Sequence, residues 1–218
     1  MNKIFNYILE LIYPNVCGVC KKICKENLCP KCEIKTKEYQ INIIKKYNDK
    51  QTYFDEGIHI FKYEDIIRKM LVEYKFQDKA YLYKTFSKII LKNKKICGKL
   101  KKYDIIIPVP IHKKRKLVRG YNQTELIAKQ IAEITNLSLE NKVLFKQKNI
   151  VSQSELNKSN RKQNVKDAFI IKNPEKIANK NILIFDDIYT TGSTLQECSR
   201  ILKNAGASKV GILTIAKD

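Results

Sequence analysis

The sequence predicts an α/β fold, a mainly parallel β-sheet flanked by helices, with a small four-cysteine ribbon at its N-terminus. Three observations carry this prediction. Continuous apolar runs at Asp104 to Val109, at residues 182–185 (ILIF) and at Val210 to Ile215 alternate with stretches of helical periodicity, as strands buried on both faces do. The ILIF run leads directly into two aspartates and a hydroxyl-rich turn that opens a helix. Two Cys-x2-Cys pairs, separated by eight residues, occupy a segment with little hydrophobic periodicity of its own. A chain of 218 residues accommodates one well-packed core and a small appendage. The expected division is an N-terminal helix and cysteine ribbon over residues 1–50 and a main body over residues 51–218.

Taken in order, MNKIFNYILELI sets Phe5, Ile8, Leu9 and Ile12 on one helical face, interrupted by Asn6 and Glu10. The run is too short to span a bilayer and lacks a small-residue cleavage site, so a cytoplasmic chain with no membrane insertion is expected. Pro14 ends the pattern. Past the cysteines, residues 35–50 read as a polar, lysine-rich connector, and YFDEGIHIFKY reads as strand. Residues 64–76, with Ile66, Ile67, Met70, Leu71 and Tyr74, and residues 80–96, with Leu82, Phe86, Ile89 and Ile90, have helical spacing. The first core strand, Asp104 to Val109, stops at Pro108 and Pro110, which cannot continue a central ladder. A basic loop, IHKKRKLVRG, then leads to a helix over residues 122–135, where Asn122 and Glu125 have capping-box spacing. Residues 142–146 and 168–171 read as strands around a long polar segment. Residues 182–185 form a second buried strand, residues 194–205 a helix closed by Gly206, and residues 210–215 the last strand.

Charge narrows the partners without selecting one. The 43 basic and 22 acidic residues leave +21, which suits a polyanionic partner such as nucleic acid or a phosphate-rich ligand. An evenly spread lysine coat, of the kind AT-rich codon usage produces, stands as an equal reading.

The seven cysteines are odd in number and clustered, which argues for metal rather than a disulfide framework. Cys17, Cys20, Cys29 and Cys32 form two knuckles that present four thiolates to one tetrahedral ion, and structural zinc is the expected occupant. Cys24 is either a bystander or a substitute ligand. A redox pair or an iron–sulfur cluster is the competing reading, against which stands the lack of a thioredoxin-like strand and helix around the pairs. Cys97 and Cys198 fall on apolar helical positions and read as packing residues. His59 and His112 have no visible partners.

In open α/β sheets ligands bind beyond the carboxyl ends of the strands, and Asp186 and Asp187 immediately follow ILIF. Thr190, Thr191, Gly192, Ser193 and Thr194 open the next helix, where backbone N–H groups converge on an anion. Paired carboxylates accept hydrogen bonds from vicinal hydroxyls, so pair and cradle together match a ribose 5-phosphate. Each part alone reads equally well as a turn or a helix cap; it is their common register that favours the ligand.

The string ILIFDDIYTTGST resembles the 5-phosphoribosyl-1-pyrophosphate (PRPP) motif of type I phosphoribosyltransferases. That resemblance implies that Asp186 and Asp187 hold the ribose hydroxyls and that residues 190–194 hold the 5-phosphate. IIIPVPIHKKRKLVRGYNQTELIA is similar to a segment of the ComF family of competence-associated phosphoribosyltransferase-like proteins. Gln153, Leu156, Arg161, Asn164 and Phe169 match further positions of that family, and with the cysteines the likeness covers nearly the whole chain. It implies a type I phosphoribosyltransferase-like sheet and PRPP with magnesium as ligand. Arg119 and Gly120 would lie on the pyrophosphate side, ahead of Lys113, Lys114, Arg115 and Lys116, and Gln153 and Arg161 in a flexible loop over residues 147–165. It further implies a role in natural transformation, with single-stranded DNA and other competence proteins as partners, and phosphoribosyl transfer to an acceptor that the sequence does not identify. A nonenzymatic PRPP sensor or a nucleic-acid-binding factor on the same fold is the alternative. The family's K-F-x-G-D string appears here as Lys75, Phe76, Gln77, Asp78, without the glycine, which leaves the role of Lys75 open.

Overall fold

The computed structural model describes residues 14–49, 51–147 and 166–218. The expected helix over the first twelve residues therefore lies outside the described residues. The expected parallel α/β architecture is what forms. Its main sheet contains β1 (Gln40–Lys46), β2 (Glu56–Lys62), β3 (Ile105–Pro108), β4 (Ser138–Leu139), β7 (Asn181–Tyr189) and β8 (Lys209–Lys217). A separate antiparallel pair joins β5 (Leu144–Lys146) to β6 (Phe169–Ile171). The main sheet runs in the order β1-β2-β8-β7-β3-β4, and every neighbouring pair is parallel except β1 with β2.

The apolar run of β7 shows why the sheet is covered twice. Side chains alternate across a strand, so Leu183 and Phe185 enter one core while Ile182 and Ile184 enter the other. The first core is closed by α1 (Pro30–Lys37), α2 (Asp65–Phe76), α3 (Leu82–Lys92), α4 (Lys94–Leu100) and α6 (Gln123–Thr135), through residues such as Cys32, Leu71, Phe86, Ile96 and Ile131. The second is closed by α7 (Ser193–Asn204) and the β5–β6 pair, through Leu195, Cys198, Leu202 and Phe169.

Several local expectations are corrected. The lysine-rich connector contains β1, an antiparallel edge strand whose Lys45 and Lys46 are exposed while Ile44 packs on the core. The helix expected over residues 80–96 is two helices. Asn93 turns extended between them, and its side chain accepts the N–H of Ile96 at 3.2 Å, the competition by which asparagine favours helix starts. The basic loop contains a helix, α5 (Lys113–Arg119), started by His112, whose Nδ1 accepts the Lys114 N–H at 3.3 Å, and closed by Gly120 at φ 78°. Asn122 caps α6 through the N–H of Thr124 at 3.3 Å, not through a box with Glu125. Glu125 binds Lys116 at 3.1 Å and Asn141 at 2.7 Å instead.

The correction that shapes the site concerns β7, which does not end at Phe185. Its ladder with β8 continues through Asp186↔Thr214, Ile188↔Ala216 and Tyr189↔Lys217, whereas its ladder with β3 stops at Pro108↔Phe185. Asp186 and Asp187 therefore stand in the strand rather than past its end, at the level where the neighbour on one side has stopped.

Replacing Phe86 by Ala should test the first core. Phe86 is fully buried, with its ring 5.9 Å from that of Tyr74. We expect a loss of about 3–5 kcal/mol in urea unfolding; a change within experimental error would show that α3 does not anchor this layer.

Candidate functional site

Adjacent strand residues face opposite ways, so the two carboxylates enter different surroundings. Asp187 points to the α2–α6 side and is only 5 % exposed. Its Oδ1 lies 2.9 Å from Lys75 Nζ on α2, and its Oδ2 accepts a hydrogen bond from Gln123 Nε2, at the start of α6, at 2.9 Å. Gln123 Oε1 in turn accepts from the Arg119 guanidinium, which also sits 5.4 Å from the centroid of the Phe76 ring. Burial lowers the Arg119 pKa against the opposing field of Asp187. Asp186 is half-buried and accepts the N–H of Asp187 at 2.9 Å. Burial and the neighbouring Asp187 carboxylate push it up to about 7, against the pull of Lys75 and Lys146. Burial lowers Lys146 as well, and Arg115 adds to that effect.

Past β7 the chain turns through Thr190 and Thr191 into Gly192, which stands at φ 74° as the N-cap of α7. A Cβ there would lie 2.5 Å from the Tyr189 hydroxyl, so both the backbone angle and the space require glycine. Among the described residues no side chain caps α7 from the N-cap position. The Ser193 N–H has only a long contact, 3.4 Å, to Thr191 Oγ1, which lies 2.9 Å from Ser193 Oγ. A helix start flanked by the Thr191 and Ser193 hydroxyls, with Thr194 next in sequence, has the donors that an anion cradle requires.

Between α2 and α5 opens a cleft of about 740 Å³ whose wall includes Lys75, Arg119 and Gln123, so the partners of Asp187 are also its polar lining. Tyr63, Phe76, Ile111 and Val118 supply an apolar rim. Arg119 thus faces the cleft, and Gly120 is the left-handed residue that turns the chain from α5 towards α6. Gln153 and Arg161 lie outside the described residues. Sequence reasoning missed Gln123 and Lys146 and left Lys75 open. Gln123 is the last residue of the RGYNQ string and Lys75 the first of KFQD, so both carried a signal; Lys146, in a polar stretch, carried none.

The Sγ atoms of Cys17, Cys20, Cys29 and Cys32 all lie within 4.8 Å of one another. Four thiolates bound to one ion at about 2.3 Å stand about 3.8 Å apart, and Cys20 Sγ is 3.9 Å from Cys29 Sγ. Burial raises the Cys17 thiol, but the backbone N–H groups of Cys29, Cys20 and Val19 outweigh it and bring the thiol down to about 6. The Cys29 N–H lies 3.5 Å from Cys17 Sγ. Ligand count, spacing and N–H···S support all fit zinc. Cys24 is not part of the cluster, and burial raises its thiol. Cys198 is fully buried, and Cys97 donates to the Leu91 carbonyl at 3.2 Å. His59 is also buried, with Nδ1 2.8 Å from Thr214 Oγ1, and burial lowers it to about 4.

A crevice where one strand stops, carboxylates on the strand that continues and an anion cradle beyond them belong to the phosphoribosyltransferase type of domain. The phosphoribosyl transferase domain model matches residues 125–218, which contain β7, the cradle and α7. Competence protein ComFC of Streptococcus pneumoniae is 31 % identical over 202 residues, covering 90 % of this chain and 83 % of that protein. Competence protein F of Haemophilus influenzae is 27 % identical over 168 residues, covering 75 % of this chain and 73 % of its own length. The chain belongs to the ComF family of competence-associated phosphoribosyltransferase-like proteins. Among solved structures, the glutamine PRPP amidotransferase of B. subtilis aligns with 62 % of this chain at 19 % identity and a TM-score of 0.42, and this chain covers 26 % of that one.

Asp186 makes stability depend on pH. The folded protein keeps a proton on Asp186 up to about pH 7, while an ordinary carboxyl releases it near 3.8. This contribution to stability is therefore full below about pH 4 and is lost as the pH rises through about 7. Asp186→Asn, neutral throughout, should melt with the wild type at pH 4 and increasingly above it towards pH 8; parallel pH profiles would refute the raised carboxyl.

Proposed function

We propose that the chain binds PRPP with magnesium and transfers its phosphoribosyl group to an acceptor, in the service of natural transformation. The observation that carries this reading is the position of Asp186 and Asp187 on β7 past the end of β3, followed directly by the start of α7 at Gly192. In this reading Asp186 and Asp187 take the ribose hydroxyls, and Thr190, Thr191, Gly192, Ser193 and Thr194 take the 5-phosphate. Arg119 and Gly120 stand on the pyrophosphate side, where Arg119 already faces the cleft.

Transfer forms a bond from the acceptor to C1 of the ribose as the C1–oxygen bond to pyrophosphate breaks, and pyrophosphate leaves with the electron pair. Charge builds on the leaving group, which magnesium and the cleft's cations offset. The competence names of the relatives support a role in competence; in this reading the partners are incoming single-stranded DNA and other competence proteins. The four-cysteine site holds one structural zinc, which suits a reducing cytoplasm. In this reading residues 1–50 are the appended unit, which lends β1 to the edge of the main sheet, and residues 51–218 the PRPP-binding body. Among the described residues no helix is long and apolar enough to cross a membrane.

Calorimetry with PRPP and magnesium should show binding that Asp186→Asn with Asp187→Asn weakens by roughly 100-fold or more, since hydrogen bonds to charged groups are worth about 1.5–3 kcal/mol each. Unchanged affinity in the double variant would sink the site assignment. Pyrophosphate release should depend on an added acceptor, and its absence across nucleobases, amines and nucleic acids would leave a binding protein rather than an enzyme. Elemental analysis should find one zinc per chain, lost on replacing Cys17 and Cys29 by Ser; a full equivalent retained in that variant would refute four thiolate ligands.

A further inference from the structure

The cysteine site and the carboxylate site meet in three consecutive residues of α2. Lys21 follows Cys20 in the first knuckle in the left-handed region, at φ 65°. Its N–H donates to the Cys17 carbonyl at 3.0 Å and its ammonium to the Gly18 carbonyl at 2.9 Å, so the fold of the knuckle fixes where Lys21 points. It points at Glu73, with Nζ 2.7 Å from Oε2. Glu73 is 6 % exposed and has one further cation, Lys79, at 3.2 Å. Next on α2, Tyr74 donates its hydroxyl to the Gln123 carbonyl at 2.8 Å and accepts the Tyr121 hydroxyl on its own carbonyl. Lys75, the third residue, holds Asp187 at 2.9 Å.

The knuckle is also pressed against α3. Thr85 Oγ1 donates to the Asn27 carbonyl at 2.9 Å, and Lys92 pairs with Glu33 at 2.9 Å. A side chain at Gly18 would collide with Thr85 and Leu82. The module therefore cannot relax without moving the helices behind it. Without an ion to bind all four sulfurs the knuckle loses the bonds that close it, and a knuckle that opens withdraws Lys21 and leaves Glu73 buried with one of its two cations. A buried carboxylate that loses a partner is costly, and that cost falls on the last turn of α2, which carries Glu73 next to Tyr74 and Lys75.

We propose that Lys21 and Glu73 are positioning residues that couple metal occupancy of Cys17, Cys20, Cys29 and Cys32 to the affinity of the Asp187 site for PRPP. With the knuckle closed, Lys21 holds Glu73, and the same helical turn sets Lys75 on Asp187 and, through the Tyr74 hydroxyl on the Gln123 carbonyl, holds Gln123 beside it, in the orientation that leaves the crevice open to the ribose. The coupling rests on the PRPP reading of the site and adds its control. Coupling between two sites is reciprocal, so PRPP tightens zinc by the factor by which zinc tightens PRPP.

The test uses the full chain, with PRPP affinity read by calorimetry in zinc-loaded protein and in protein stripped by a chelator that is removed before magnesium is restored. In the wild type, stripping should weaken PRPP by about 5–150-fold, the usual range for allosteric coupling. Lys21→Met should keep one zinc and a cooperative melt, bind PRPP several-fold more weakly, and no longer respond to stripping; Lys21→Arg should restore the response. Zinc affinity, read by competition with a chromogenic chelator, should rise with saturating PRPP in the wild type and not in Lys21→Met. Equal effects of stripping in wild type and Lys21→Met would overturn the coupling, as would none in either. If stripped protein does not stay folded, the comparison moves to zinc-loaded Lys21→Met, Lys75→Met and the double variant. The double should then bind PRPP no worse than Lys75→Met alone, and losses that multiply would overturn the proposal. Failure of every form, including zinc-loaded wild type, to bind PRPP would overturn the PRPP reading itself.

Discussion

A buried carboxylate at the end of a β-strand demands neutralisation, and the way Asp187 obtains it organises the molecule. Its two oxygens are taken by Lys75 and Gln123, which come from different helices far apart in the chain. Meeting that demand fixes the C-terminal turn of α2 and the first turn of α6 against β7, and the Tyr74 hydroxyl joins the two helices again on the Gln123 carbonyl. Arg119 is drawn in through Gln123, which brings α5 and the cleft into the same arrangement. Removing one partner from such a group leaves an uncompensated charge and costs about 3–5 kcal/mol, so site geometry and fold stability are here one constraint.

The two-residue period of a strand divides the labour between neighbouring carboxylates. Asp187 is paired with one protein group on each oxygen, on one face of the sheet. Asp186, on the other face among Cys198 and Lys146, has no cation within ion-pair distance among the described residues, and burial raises its carboxyl. One residue of chain therefore separates an acceptor that also anchors two helices from one that anchors none. The division follows from β3 stopping at Pro108, because a longer β3 would cover both positions with another strand.

Most of the architecture was legible because its signals are local. Buried parallel strands announce themselves as unbroken apolar runs, and the Asp-Asp pair, the hydroxyl loop and the paired cysteines are each written in a few adjacent letters. What was illegible depended on distance or on an absent apolar face. Lys75 and Asp187 are brought together only by the packing of α2 on the sheet, which no window along the chain contains. In α5, Leu117 and Val118 are 83 % and 90 % exposed, so the helix buries no stripe from which a period could be read. The lysines of β1 gave an edge strand the composition of a linker. Asn93 split a helix through a side-chain bond that competes with a periodicity running straight across it.

Those same lysines bear on how the chain behaves at high concentration. A sheet with a long, flat, apolar margin is a template on which another molecule's strand can add, and proteins blunt such margins with charge, irregularity or brevity. One margin here is β1, which carries Lys45 and Lys46 and breaks its register between Gln40 and Ile43. The other is β4, only two residues long. The main sheet is thus guarded at both ends against strand-by-strand aggregation, by a cationic border on one side and by too few hydrogen-bonding groups on the other.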